Sequence, residues 1–216
     1  MLVRLHMSRD LVTLAPNARA SEALALLQEN SIRHAPVVDE KRLVGIGTDR
    51  DLLRALPTTV SQIDGAPHLD PLVASVMSKQ PITIAPNDHV DDAARILLER
   101  RIHCLPVVQD GELHGIITDT DLFAVFARLL MHPGCDRWTF VHPTGKDHDP
   151  EFDLASEAVL CGLVIESLVR QEMPDGRTVT QIYSHGDDIS LECFLERVAD
   201  AGYTVLDTLR AMRRSA

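Results

Sequence analysis

Apolar residues recur at helical spacing from Ala20 to Asn30, where Ala20, Ala23, Leu24 and Leu27 share one face and Ser21-Glu22 lie near the start. Before this helix, Leu11–Leu14 is a short β-prone run ended by Pro16-Asn17. After it, Ala35–Val38 reads as a short apolar strand, Lys41-Arg42 as a polar turn and Leu43–Gly47 as a second strand. Thr48-Asp49 then caps a helix running through Leu52-Leu53. The element order is β-α-β-β-α.

The same pattern returns 70 residues later without a gap. Met7-Ser8 recurs as Met77-Ser78, Ala15-Pro16-Asn17 as Ala85-Pro86-Asn87, and Pro36-Val37-Val38 as Pro106-Val107-Val108. Gly45-Ile46, Thr48-Asp49 and Asp51-Leu52 recur as Gly115-Ile116, Thr118-Asp119 and Asp121-Leu122. About 20 of roughly 47 aligned positions are identical, so one module is written twice. The second copy predicts Ile82–Ile84, Val90–Arg101, Leu105–Val108, Leu113–Ile117 and a helix over Asp119–Leu130. Between the copies, Pro57, Gly65, Pro67 and Pro71 break regular structure, and Leu72–Val76 reads as a short helix leading into Met77.

Past Leu130 the repeat ends and the pattern changes. Arg137–His142 alternates like a strand, Pro143–Pro150 is a polar loop, and Phe152–Gly162 fits a helix. Leu163–Met173 and Arg177–His185 flank the turn signal Pro174-Asp175-Gly176 as a hairpin. Asp188–Gly202 is an amphipathic helix and Tyr203–Leu209 a last strand. The resulting β-α-β-β-α-β order is the ferredoxin-like, split βαβ pattern. A single helix over Leu154–Gln171 is the alternative, since Leu160, Val164 and Leu168 also fit helical spacing. The fold class expected is therefore α+β, with domains at 1–60, 77–131 and 132–216 and a linker at 61–76.

Composition narrows the function classes. The chain has 216 residues, 45% hydrophobic but only 4% aromatic, so its cores must be aliphatic. The run Ala158–Ile165 is far shorter than the ~20 apolar residues of a membrane-spanning helix. The N-terminus lacks the apolar stretch of a signal peptide, so a soluble, cytoplasmic protein with no membrane partner is expected. The formal net charge is −11, and both parts on either side of residue 130 are acidic. No basic face is visible for displacing counterions from nucleic-acid phosphates, so no nucleic-acid partner is expected. Cys104, Cys135, Cys161 and Cys193 form no CxxC pair and read as free, mostly buried thiols.

The doubled Gly-x-x-Thr-x-x-Asp, the Met-Ser openings, the Ala-Pro-Asn turns and the Pro-Val-Val strands resemble the tandem CBS domain pair, or Bateman module, over about residues 6–130. The resemblance implies two repeats packed about a pseudo-twofold axis, with clefts for adenosine nucleotides such as AMP, ADP, ATP or S-adenosylmethionine, in a module that regulates and does not catalyse. The motif's chemistry agrees. Its glycine permits close backbone approach. Its threonine hydroxyl stands at a helix N-terminus, where free N–H groups favour a phosphate. Its aspartate lies one turn on, on the same face, able to accept bonds from two ribose hydroxyls.

Carried across by this resemblance, Thr48 and Thr118 are the phosphate-side residues and Asp51 and Asp121 the ribose binders. Val12-Thr13 and Ile82-Thr83, with Ala35-Pro36 and Leu105-Pro106, are the adenine walls. One such cleft is expected per repeat. Thr48-Asp49 and Thr118-Asp119 would serve equally as plain helix caps. Arg50, replaced by Thr120 in the second copy, either adds charge beside a phosphate or is a solvated surface residue. Leu105 in place of Ala35 is expected to narrow its cleft. Bateman modules stack through helices, which implies a homodimer through Leu52, Leu53, Leu122, Phe123 and Phe126.

The final third resembles an ACT domain in its Ile165-Glu-Ser hairpin and its Ala201-Gly202-Tyr203 close, an arrangement similar to acetoin-utilisation-type CBS–ACT proteins. The loop Pro143–Pro150 departs from the Asp-x-Pro-Gly-like turn of amino-acid-binding members. His132, Cys135, His142 and His148 match no standard zinc spacing, so no metal is expected. Ser184, His185 and Asp187 are adjacent along a strand and cannot form a triad, and no GxSxG, P-loop or GxGxxG is present. No catalytic residue and no required cofactor are expected. A regulatory sensor, a structural module with empty clefts, and an enzyme subunit acting only in a complex remain as the functional classes.

Overall fold

The computed structural model describes residues 1–56, 70–142 and 150–209. The expected linker over 61–76 lies outside the described residues as far as 69, as does the polar loop from 143 to 149 with His148. The chain divides into two compact units, Met1–Val125 and Phe126–Ala216.

In the first unit, repeat one supplies α1 (Ala20–Glu29), β1 (His34–Asp39), β2 (Arg42–Thr48) and α2 (Asp49–Ala55). The short elements α3 (Val73–Val76) and β3 (Ser78–Lys79) follow. Repeat two supplies α4 (Val90–Arg100), β4 (Cys104–Gln109), β5 (Glu112–Thr118) and α5 (Asp119–Leu130). The runs at Leu11–Leu14 and Ile82–Ile84 are not ladder strands. Each makes one parallel bridge, Leu14 to Val37 and Ile84 to Val107.

The sheet runs β1-β2-β5-β4, with β3 paired to β2. Its two hairpins are joined at Arg42↔Glu112. Along β1, Ala35 and Val37 point into a core with Leu14, Leu24, Leu27 and Leu52. Along β4, Leu105 and Val107 point into a second core with Ile84, Leu97, Ile117 and Leu122. Strand alternation turns His34, Pro36 and Cys104 to the opposite face. There Ile46, Cys104 and Ile116 form a small apolar seam between the repeats.

The repeats exchange their opening segments. Val3 and Met7 are buried in the core of repeat two, and Val73 and Met77 pack with that of repeat one. Ser8 pairs with Ile116, and Ser78 with Ile46. The Val3 N–H donates to the Asp88 carbonyl at 2.9 Å, and the related Val73 N–H to the Ala18 carbonyl at 2.9 Å. Residues on both sides of the expected boundaries thus share each core.

This exchange explains the motif's glycines. A Cβ on Gly115 would lie 2.7 Å from Met7 Sδ and 2.9 Å from the Ser8 carbonyl oxygen. On Gly45 it would lie 2.9 Å from the Ser78 carbonyl oxygen. The close approach that glycine permits here is to the other repeat's backbone.

The second unit contains β6 (Asp136–Val141), α6 (Pro150–Leu160), β7 (Val164–Glu172), β8 (Thr178–His185), α7 (Asp188–Asp200) and β9 (Thr204–Leu209). Its strands are ordered β7-β8-β6-β9, all antiparallel. The β-α-β-β-α-β order is present, and the single-helix alternative fails. The helix stops at Leu160, Gly162 takes φ +77°, and the chain continues as a strand. Its core is not the aliphatic one expected: Trp138, Phe140 and Phe194 pack with Ile182, Leu154 and Leu191, because most of the few aromatic residues are gathered in this unit. Asp187 caps α7 by accepting from the Ser190 N–H at 2.7 Å.

Two expectations are corrected. Cys161 and Cys193 form a disulfide between the end of α6 and α7, with Cα atoms 5.7 Å apart, so only Cys104 and Cys135 are free. Linear spacing conceals this pairing because the fold brings the two positions together. Leu52 and Leu122 are core residues, and Leu53, Phe123 and Phe126 alone of the expected dimer set are exposed. Among the described residues, no helix is long and apolar enough to cross a membrane.

Candidate ligand clefts between the repeats

Each Thr-x-x-Asp motif ends a strand and opens a helix. Thr48 is the N-cap of α2, where its Oγ1 accepts from the Asp51 N–H at 3.1 Å and donates to Asp51 Oδ2 at 2.7 Å. Thr118 and Asp121 repeat this at 3.2 and 2.8 Å, and the Thr118 N–H also donates to Asp121 Oδ2 at 2.8 Å. The motif is thus a reciprocal helix cap. These bonds use Oδ2, and among the described residues Oδ1 of neither aspartate is engaged.

Two clefts flank the seam, and both repeats line each of them. The Thr118 cleft holds about 360 Å³. Ile116, Thr118, Asp119, Thr120 and Asp121 come from repeat two, and Ser8, Asp10, Leu11, Val12, Ser31, Ile32, Arg33, His34 and Pro36 from repeat one. The Thr48 cleft comprises two cavities of about 330 and 810 Å³ that share His34, Thr48 and His103. The smaller is walled by Ile46, Ile82, Ile102 and Cys104, with Lys79 and Arg101. The larger is lined by Arg33, Asp49, Arg50, Asp51, Leu53 and Arg54. These volumes are those of small-molecule sites.

The expectation of one cleft per repeat is therefore corrected: each pairs the motif of one repeat with the wall of the other. The physical reason is the exchange of opening segments, which carries residues 8–12 to β5 and residues 78–82 to β2. Thr48, Arg50, Asp51, Pro36, Thr118 and Asp121 line the clefts. Thr13 and Thr83 are exposed and line neither, although their neighbours Val12 and Ile82 do. Ala35 and Leu105 are fully buried in the cores, so their difference in size does not narrow a cleft. Pro106 is buried and lines neither cleft.

His34 was not among the expected site residues, yet it lines both clefts. Its ring centroid is 6.0 Å from that of His103. Burial, together with Arg33 and His103, holds its pKa below the usual histidine value, against the pull of Asp49 and Asp119. His103 Nδ1 lies 2.9 Å from Asp119 Oδ2. Burial opposes ionisation of Asp119, but this bond, the Thr120 N–H and Arg33 outweigh it and lower its pKa. Cys104, the repeat counterpart of His34, has its thiol pushed up to about 12 by burial and by Asp119. The signal in the sequence was that positions 33–34 and 103–104 differ between otherwise similar copies. Among the described residues no group of three or more His, Cys, Asp or Glu is placed to hold a metal ion.

Two CBS domain matches, over residues 3–58 and 73–128, cover just over half of the chain, which therefore belongs to the CBS domain family. Solved CBS pairs similar to it include those of three proteins. CBSX2 from Arabidopsis thaliana, in complex with AMP, is 29% identical with a TM-score of 0.52, over 60% of this chain and 98% of that one. The CBS pair of MJ0100, in complex with 5′-methylthioadenosine and S-adenosylmethionine, is 29% identical with a TM-score of 0.51, over 59% and 97%. AcuB from Vibrio cholerae, an acetoin-utilisation-type protein, is 33% identical with a TM-score of 0.52, over 60% and 93%. The chain spans less than half the length of the first curated relatives it matches.

Proposed function

We propose that this chain is a regulatory sensor that binds adenosine ligands, AMP, ADP, ATP or S-adenosylmethionine, in its two CBS clefts. The observation that carries the reading is the composite cleft itself. A carboxylate with an unengaged oxygen stands beside a threonine hydroxyl; in the Thr118 cleft the apolar wall of the other repeat lines the same cavity, and in the Thr48 cleft Thr48 joins the cavity of Asp51 to the one walled by Ile82 and Ile102. Asp51 and Asp121 accept from the ribose hydroxyls. Val12 and Pro36 flank the base in one cleft, and Ile82 and Ile102 in the other. No residue acts as a catalyst and no cofactor is required.

The signal passes to the C-terminal unit, which is ACT-like, or to a partner. It travels along α5, whose first turn carries Asp121 and whose last turns belong to the second unit. Coupling then needs only that a ligand favour one of two arrangements of this element. The protein works as a homodimer through the exposed Leu53, Phe123 and Phe126. A thermal-shift panel of AMP, ADP, ATP and S-adenosylmethionine on the full chain tests the reading. A ligand at 100 times its Kd adds ~2.7 kcal/mol. No stabilisation by any of them leaves the structural-module alternative.

A further inference from the structure

The clefts are related by the internal repeat but not by charge. In the Thr48 cleft, five Lys and Arg residues stand against Asp49 and Asp51. In the Thr118 cleft, Arg33 alone stands against Asp10, Asp119 and Asp121. The contrast arises from single exchanges between equivalent positions. Arg50 becomes Thr120, Arg54 becomes Ala124, Arg101 answers to Ser31, and the neutral Gln80 answers to Asp10. Among the described residues, none of Arg33, Arg50 and Arg54 is engaged in a salt bridge. All three line the cavity of about 810 Å³, the largest of those described.

We propose that the two clefts sort adenosine ligands by the charge of the 5′ substituent. The Thr48 cleft takes the polyphosphate of a nucleoside di- or triphosphate, and the Thr118 cleft takes an adenosine ligand whose substituent is uncharged or cationic. This rests on the adenosine reading above and adds to it. Guanidinium groups pair with phosphate oxygens in a fork geometry, and Arg33, Arg50 and Arg54 offer three of them to one cavity. In the Thr118 cleft the same polyphosphate would meet Asp10 and Asp119, and like charges in a partly desolvated cleft repel. Asp119 is tied to His103, which fixes a negative charge on that wall. A sulfonium meets attraction there.

The test is isothermal titration of the full chain with ATP, S-adenosylmethionine and adenosine at two ionic strengths. Asp121→Ala isolates the Thr48 cleft and Asp51→Ala isolates the Thr118 cleft, with melting curves taken for each variant. The isolated Thr48 cleft should bind ATP at least tenfold more tightly than adenosine, with an affinity that falls as salt rises. The isolated Thr118 cleft should prefer S-adenosylmethionine over ATP at least tenfold. Arg50→Thr with Arg54→Ala, which installs the residues of the other repeat, should lower ATP affinity at least tenfold and leave adenosine affinity unchanged. In the unaltered protein, saturating ATP should leave S-adenosylmethionine binding intact, which reads the same division should an aspartate variant fail to fold. Equal ATP affinity in both clefts, or competition of the two ligands for one site, overturns the sorting while leaving the adenosine reading intact. Failure of all three probes to bind the unaltered chain overturns both.

Discussion

Met7 packs against Gly115, its sulfur occupying the space that a side chain at that position would need. The two residues belong to different repeats, and Met77 and Gly45 reproduce the contact in the other direction. The opening segment of each repeat is thus part of the other's fold, and the clefts are built from both copies.

Gly115→Ala should destabilise the protein by about 1–3 kcal/mol, the usual cost of overpacking a well-filled site. Methionine can move aside, but the Ser8 carbonyl at 2.9 Å belongs to a paired backbone. Urea denaturation checks this. A midpoint equal to that of the unaltered protein would show that the exchanged segment is loosely held.

Asp51→Ala and Asp121→Ala should each weaken ligand binding at one cleft by ~1.5–3 kcal/mol, the loss of a charged hydrogen bond. Each also removes half of a helix cap, so melting should fall by a further ~0.5–2 kcal/mol without ligand. Calorimetry with adenosine, which lacks the charge that divides the clefts, separates the two effects, and unchanged adenosine binding in the double variant would dismiss both aspartates as ribose binders.

His34 should make stability fall on acidification. Its folded pKa lies below the unfolded value of 6.5, so the unfolded chain binds the proton first. The stabilisation is complete above 6.5 and is lost as pH falls from there through the folded pKa. Burial disfavours the imidazolium first, and Arg33 and His103 add to this. Denaturation midpoints at pH 7.5 and 5.5, compared between the unaltered protein and His34→Gln, should show a smaller drop in the variant.

Thiol titration should count at most one reactive cysteine in the native protein, two in denaturant and four after reduction. Cys104 is buried with a pKa near 12, whereas Cys135 is partly accessible. Cys161 and Cys193 are joined until reductant opens them. Four thiols in denaturant alone would mean the disulfide is absent.

Leu53→Lys with Phe123→Lys should reduce the proposed homodimer to a monomer near 24 kDa in light scattering, with unchanged far-ultraviolet circular dichroism because both side chains are exposed on the single chain. These residues occupy equivalent positions on α2 and α5, so each repeat supplies one of them. A monomeric unaltered protein would refute the interface.

Much of the fold was legible because its signals are local. Helical spacing placed α1, α4, α5 and α7 within a residue or two, and strand alternation with turn chemistry placed the hairpins. The Thr-x-x-Asp pairs were legible because a cap needs residues three positions apart. His34 and His103 were missed as cleft residues because nothing within a few positions of either distinguishes a cleft wall from a core face. Ala35 and Leu105 failed for the same reason: adjacent strand residues face opposite sides, and only the packing tells which side is the core.

The duplication, the element order and the two Thr-x-x-Asp caps can be read along the chain, since each depends on residues close in sequence or on identity at a fixed offset. The exchange of Met7 and Met77, the joining of both copies at each cleft and the meeting of Cys161 with Cys193 are set by packing. These depend on which surfaces bury each other. An aliphatic face such as that of α1 or α4 states that it must be buried but not by what, and backbone pairing at Ser8 or Ser78 is open to any strand edge. The choice falls to close packing, where the absent side chains of Gly45 and Gly115 admit the opening segment of the other repeat.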